Sequence, residues 1–380
     1  MINKQIQDRV LSISLVLALF FVLVILTDFY YKYSLLTNIE LPKTLFYLKA
    51  TIAIVLLLIS LIQIKFSDYK KALFVFIAVI VCCVLSFLFS DINDIDRYLY
   101  ILQQYFFGMI VFFFFLNYWK NIELKYLSKT LKTIVWLNLV LILIGFLFDF
   151  YLFKTYSFRF GYDGLFKSTS VATYFYMFSL LFFINQKKSL ANILIFVSII
   201  VSSLMVGSKS LYAFLLVIAL YFIAKRGVFL MKNKKVYYGI FISAVTVLGA
   251  LLVKPLFSLN TTLKNVLDEH GLITAIFSYR DVLVKNAIQQ VDENFTIASY
   301  LFGGVFYIQK LTQVALVDLF VTFGIIGSLI FLYFLTINFP KIHNKNLKFV
   351  LVSIGVVILL RGNFFYYPSE IFISMTIFAM

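Results

Sequence analysis

The sequence predicts an all-α, polytopic integral membrane protein, and three observations carry that prediction. Hydrophobic residues make up 63% of the 380 residues and charged residues only 13%, against about 45–50% and about 25% in an ordinary soluble domain. The apolar runs are continuous and of about the twenty-residue length that a helix needs to cross a bilayer. A membrane β-barrel would alternate apolar and polar residues in segments of about ten. Proline, which breaks helices, occurs only 4 times.

Taken in order, Lys4 and Arg9 precede an apolar run from Val10 to Leu26. The run exceeds the apolar core of a secretory signal and no small-x-small cleavage site follows, so it reads as an uncleaved first span over 10–30. Further spans are predicted at 43–64, 72–90, 98–118, 133–152, 169–185, 190–206, 211–224, 236–253, 315–337 and 347–360. A short apolar tail, Ile371 to Met380, is expected to return part-way into the bilayer. Together these give about 11–12 transmembrane helices in a single membrane domain over 1–380. Between Leu190 and Ala224 the only charged side chain is Lys209. As one helix this stretch would be about 52 Å long, so it is read as two short spans turning at Gly207-Ser208-Lys209-Ser210. Cys82 and Cys83 are neighbours in one span and point apart, so no disulfide joins them.

With the N-terminus taken as cytoplasmic and the sides alternating, the basic clusters Lys70-Lys71, Lys187-Lys188, Lys225-Arg226 and Lys234-Lys235 fall on the inner side. Only Asp8, Asp68 and Glu123 join them there, and the outer side is neutral overall. The net charge of +16 therefore reflects topology under the positive-inside rule, with some attraction to anionic membrane lipids. No soluble basic domain is present to carry a nucleic-acid footprint.

One outer segment, 254–314, is mixed rather than apolar. Within it Ile276, Phe277, Leu283, Val284, Ala287, Ile288 and Val291 recur at helical spacing, opposite Asp281, Lys285, Gln289 and Asp292. This predicts an amphipathic helix over about 275–292, lying on or capping the membrane domain. Arg280 falls on its apolar face, where a basic side chain is aimed inward or snorkels.

The outer polar inventory is short. Residues 154–167 read KTYSFRFGYDGLFK, giving Lys154, Arg159, Tyr162, Asp163 and Lys167. The turn of the helix hairpin adds Lys209, and the long loop adds Arg280 and the pair Gly303-Gly304. The next span opens with Gln313 and Asp318 and continues to Gly324 and Gly327; Arg361 precedes FFYYPSE. Basic side chains converging on an outer cleft suit an anionic ligand, arginine through paired bonds to phosphate oxygens and lysine as a point charge. Each has a plainer reading beside it. Lys154, Lys167, Lys209 and Arg361 suit headgroup anchors, and Arg280 an ion pair with Asp281 or Glu293. Asp318, expensive at that depth without a partner, suits structural pairing as well as catalysis. His343 is cytoplasmic and His270 stands alone in the outer loop. No H-E-x-x-H, cysteine cluster or Walker-type loop is present, so neither zinc, haem nor ATP hydrolysis is indicated.

An outer loop with arginine and glycines, a hairpin turning on Gly207-Ser208-Lys209, a large late outer loop and a helix running into Gly324-x-x-Gly327 together resemble the O-antigen polymerase and ligase group. There the hairpin usually reads Gly-Ser-Arg, and Lys209 keeps the charge. The ligase branch opens the helix after the large loop with a histidine; the matching position here is Gln313, which argues against a ligase. The polymerase branch often carries acids before the paired glycines, as Asp318 does in DLFVTFGIIG.

The resemblance implies a fold like the membrane glycosyltransferase C group and polymerisation of oligosaccharide repeat units carried on undecaprenyl diphosphate. The setting would be the periplasmic face of a bacterial inner membrane, without metal or other cofactor, alongside a regulator protein of chain length. It assigns Arg159, Lys209 and Arg280 to the diphosphates and Asp318 to the acceptor hydroxyl. Lys167, Gln313 and Arg361 become further substrate contacts, and Tyr162, Tyr300, Tyr307, Tyr366 and Tyr367 become stacking partners for sugar rings. The rivals are the ligase, a flippase or other transporter for the same lipid-linked sugars, and a structural membrane protein. An acyltransferase would want an early catalytic histidine, and none precedes His270.

Overall fold

The computed structural model describes residues 2–37, 39, 43–62, 66–89, 95–118, 122–155, 160–184, 186–187, 189–228, 261–338, 354–355, 357–358 and 364–379. Arg159, Arg361 and the predicted span at 236–253 lie outside them, as does most of 347–360.

The described chain is almost wholly helical. Its α-helices are α1 (Ile2–Thr37), α2 (Lys43–Ile62), α3 (Phe66–Leu88), α4 (Ile95–Tyr118), α5 (Leu124–Phe148), α6 (Thr169–Ile184), α7 (Leu190–Met205) and α8 (Lys209–Val228). After the 229–260 segment come α9 (Thr261–Phe277), α10 (Arg280–Asn294), α11 (Ile297–Phe302), α12 (Ala315–Asn338) and α13 (Pro368–Ala379). Four stretches are long and apolar enough to cross a membrane: Ile13–Thr37, Ile95–Phe115, Lys125–Phe148 and Ala315–Thr336. Shorter apolar helices accompany them, including Thr169–Ile184 and Leu190–Met205.

Local chemistry sets the ends. α5 stops at Asp149, whose φ of 54° is left-handed. α7 starts at Ser189, whose hydroxyl accepts the Asn192 N–H, and α11 starts at Thr296, which caps Ser299 N–H the same way. The helix expected at about 275–292 is divided at Ser278 and Tyr279, both left-handed at φ 56° and 66°. Thr274 Oγ1 donates to Asp281 Oδ2 at 2.5 Å across that corner, a side-chain bond that competes with helical continuation. Beyond the corner Arg280 is half-buried and Ala287 and Val291 are buried, whereas Ile288, and Ile276 before the corner, are exposed, so only part of the predicted stripe faces inward.

The apolar tail is helix α13, packed against α1, α4, α5 and α6 and buried on every face from Pro368 to Ile377. An apolar segment that is hydrophobic all round is as much the mark of a central helix as of a lipid contact. α6 is buried in the same way. Ser374 Oγ satisfies itself on the Glu370 carbonyl one turn back.

The second organising contact joins α3, α11 and α12. Gly324 breaks α12 with φ 66° and ψ −171°, and a side chain there would run into the backbone of Leu301 and Phe302. Gly303, at φ 101°, faces the Thr322 carbonyl in return, and Gly304 N–H donates to Val321 O at 2.9 Å. Ser86 on α3 donates to Gly303 O at 2.8 Å. Gly303, Gly304 and Gly324 thus form a close joint between α11 and α12.

Contacts between non-adjacent segments fall into two groups at opposite ends of the helices. Ser14 near the start of α1 accepts Glu123 N–H at the start of α5. At the other end, Lys32 late in α1 meets Asp163, Lys49 early in α2 meets Ser369, and Arg97 early in α4 meets Ile308. Every side chain considered below belongs to this second end.

Candidate functional site

The site starts from two side chains one turn apart on α1, Asp28 and Lys32. Both are buried, so each needs a partner of opposite charge. Lys32 Nζ donates to Asp163 Oδ1 and, at 3.3 Å, to Gly164 O. Asp28 Oδ1 takes the ammonium of Lys49 from α2, with Lys167 Nζ 3.6 Å away. The segment that carries Asp163 and Lys167 is shaped from within. Thr155 N–H donates to Gly161 O at 2.8 Å and Asp163 N–H to Phe153 O at 3.0 Å, while Asn138 Oδ1 accepts Leu165 N–H at 2.7 Å. Gly164, at φ 59°, sits against that Asn138 amide. Outside the spans, burial pushes the Asp163 carboxyl up to about 7, with the Lys32 ammonium pulling against it. Burial, and Glu370 nearby, push the Tyr367 phenol upward, so it stays a neutral donor.

These charges form one end of a cavity of about 710 Å³. Asp28, Lys49 and Lys167 line it together with Tyr31, Tyr47, Tyr100, Tyr366 and Tyr367, and with Gln103 and Gln104. Lys167 Nζ stands 4.4 Å from the centre of the Tyr367 ring, within cation–π range. Asp28 Oδ2 accepts no hydrogen bond among the described residues. Lys49 lies six residues into α2, so the charges are sunk about 9 Å below the helix end. The rest of the wall includes Leu35, Ala53, Ile54, Phe107 and Ile110. The cavity therefore combines a cationic and polar group of side chains with an apolar lining.

A second cavity, about 330 Å³, adjoins the first through Tyr100, Tyr366 and Tyr367, which line both. Arg97, Gln309, Lys310 and Gln313 complete it. The Arg97 guanidinium holds the carbonyls of Ile308 and, at 2.8 Å, Gln309. Tyr100 and Tyr366 are hydrogen-bonded to each other. Gln313 is left-handed at φ 60°. Asp318 holds that conformation, accepting Thr312 N–H at 2.7 Å and Thr312 Oγ1 at 2.8 Å as well as the Gln313 N–H.

Of the residues selected from the sequence, Lys167, Gln313, Tyr366 and Tyr367 line the two cavities. Lys209, Arg280 and Asp318 gather beside them, around the Thr274–Asp281 corner. Lys209 opens α8 and its Nζ donates to Ala275 O at 2.6 Å, in the last turn of α9, where a cation suits the negative end of the helix dipole. Arg280 is within electrostatic reach of Asp318, whereas Asp281 is engaged by Thr274. Gly207, at φ 70°, leaves no room for a side chain beside Phe160 O, 2.5 Å from where a Cβ would stand. Ser208 Oγ accepts Thr173 Oγ1 at 2.9 Å. Each member of the Gly-Ser-Lys turn thus has a structural partner.

Tyr162 packs on Phe146 and Phe160, and Tyr300 and Tyr307 pack on Phe295; none of the three lines either cavity. Asp28, Lys49, Arg97, Tyr100 and Lys310 were not among the residues singled out from the sequence. For Asp28 and Lys49 a signal existed, since an ionisable residue inside a predicted span is a functional hypothesis by itself. No protein-family model matches this chain, and no curated protein or solved structure is significantly similar to it.

Proposed function

We propose that the protein is a membrane glycosyltransferase, a polymerase of undecaprenyl-diphosphate-linked oligosaccharide repeat units working at the periplasmic face of a bacterial inner membrane. The reading joins the sequence resemblance to one structural observation: two cation-bearing cavities side by side, the larger lined by both charged and apolar side chains. A polyprenyl diphosphate has the matching form, an anionic head on an apolar tail. Lys49 and Lys167 are the cations for that head, and Asp28 holds both in place. Beside them the second cavity, with Arg97 and Lys310, gives room for the sugar that the lipid carries.

In the reaction the hydroxyl oxygen at the end of one unit attacks the anomeric carbon of the other. The bond from that carbon to the diphosphate oxygen breaks, and the electron pair leaves with the lipid diphosphate, whose charge the lysines stabilise. The hydroxyl proton passes to a carboxylate, and Asp318, buried behind Gln313 of the second cavity, is the group we assign to it. A glycosyltransferase C-like fold, and eleven to twelve spans with 254–314 as a periplasmic loop, are parts of the same proposal, as is a chain-length partner.

The test is the surface-glycan ladder of a strain lacking the gene, with wild type, Lys49→Ala or Lys167→Ala supplied on a plasmid. A single repeat unit in the deletion, a ladder with wild type and none with either variant at normal protein level supports the reading. Loss of even the single unit in the deletion would point to a ligase or a flippase instead.

A further inference from the structure

We infer that the smaller cavity is a carbohydrate subsite of the larger one, with Tyr100, Tyr366 and Tyr367 as the surface along which a saccharide passes between them. This rests on the function proposed above and adds to it a path for the sugar.

Three observations carry it. Among the described residues the two cavities share these three tyrosines in their walls, so the rings stand where the two cavities meet. Pyranose rings have apolar C–H faces and polar rims, and tyrosine offers an apolar ring with a polar tip. Tyr366 and Tyr367 stand 5.2 Å apart at 69°, which presents one ring face and one edge. The far wall adds side-chain amides, Gln309 and Gln313, each carrying donors and an acceptor for hydroxyl groups.

The third observation is the backbone of Gln313. Left-handed φ favours glycine, and a non-glycine residue there is uncommon and costs free energy unless its surroundings hold it. Here Asp318 holds it by accepting the backbone N–H groups of Thr312 and Gln313. The strained position is thus fixed by a buried carboxylate, and its side chain belongs to the cavity wall. Asp318 is a positioning residue for Gln313 in addition to the role assigned to it above.

The experiment measures binding to the purified full chain in lipid nanodiscs, using two probes: undecaprenyl diphosphate, and undecaprenyl diphosphate bearing one N-acetylglucosamine. Wild type should bind the sugar-bearing lipid about tenfold more tightly. Gln309→Ala and Gln313→Gly, at residues that line only the smaller cavity, should bring that ratio close to one while leaving the bare lipid's affinity unchanged. Gln313→Gly relieves the left-handed strain, so its thermal stability should equal or exceed that of wild type, which separates lost recognition from lost folding. A wild-type ratio near one, or an unchanged ratio in both variants, overturns the subsite while leaving the diphosphate cavity standing. Failure of wild type to bind either lipid overturns both.

Discussion

Asp28 and Lys32, one turn apart on α1, reach into the same five-residue segment: Lys32 pairs with Asp163 and Asp28 with Lys167. Two opposite charges on one helix face thereby fix both ends of the segment that delivers Lys167 to the larger cavity. Breaking a buried pair by removing one partner costs about 3–5 kcal/mol, whereas replacing both members can be neutral. Lys32→Met should therefore lower the unfolding temperature sharply, and Lys32→Met with Asp163→Asn should recover most of it. Polymer length in the double variant should stay short, because the Asp163 end of the segment that carries Lys167 is no longer held. Full recovery of both stability and ladder would make the Lys32–Asp163 pair purely a folding contact.

Asp163 also gives a pH dependence whose sign is fixed. Its carboxyl is pushed up to about 7 in the folded protein, against about 3.9 in an unfolded chain. Between those values the folded state binds more protons at this group than the unfolded state does. Its contribution to stability is therefore largest at low pH and declines as pH rises from about 4 to about 7. Thermal unfolding of wild type and Asp163→Asn at pH 5, 6, 7 and 8 reads this directly. The wild-type advantage should shrink steadily up to pH 7 and then level off. A gap that widens with pH would reverse the assigned shift.

The glycine joint between α11 and α12 makes a ranked prediction. Gly324 has a backbone conformation open almost only to glycine and no space for a methyl group. Gly327 is helical, and its added Cβ would stand 3.4 Å from Cys82 Cβ and 2.8 Å from Phe323 Cβ. Gly324→Ala carries the backbone cost of about 1–3 kcal/mol on top of the clash. Gly327→Ala carries only the crowding, and should be the milder of the two in expression level and unfolding temperature. The opposite order would mean that α11 does not seat in the break of α12.

What was legible in the sequence follows from which forces act locally. Helices α2, α4, α6, α7, α8 and α12 stand close to their predicted spans because apolar runs and end signals are local, whereas α5 starts at Leu124, nine residues before its predicted span. The burial of α13 was not legible because hydrophobicity has the same sign whether the neighbour is lipid or protein. The break at Ser278–Tyr279 depends on a bond between Thr274 and Asp281 that periodicity does not report. Lys167, Gln313, Tyr366 and Tyr367 were found because they lie next to turns, where polar residues stand out. Asp28 and Lys49 were passed over inside apolar spans, although charge at that depth was itself a signal, and their pairing across α1 and α2 shows what it marks.

Lys209 is where sequence and structure invite different experiments. The resemblance makes it a diphosphate contact, whereas its ammonium donates to Ala275 O in the last turn of α9. If the tether is its work, the charge matters through the helix end, and loss of it should free α9 from the hairpin. Lys209→Met should then speed trypsin cleavage at Lys264, on α9, several-fold and shorten the glycan ladder in parallel. Lys209→Arg keeps a long cationic donor and should preserve both. A Lys209→Met protein that resists trypsin like wild type yet makes no polymer would instead place the ammonium on the substrate. That outcome would move the diphosphate contacts from Lys49 and Lys167 toward the Thr274–Asp281 corner, where Arg280 and Asp318 already stand.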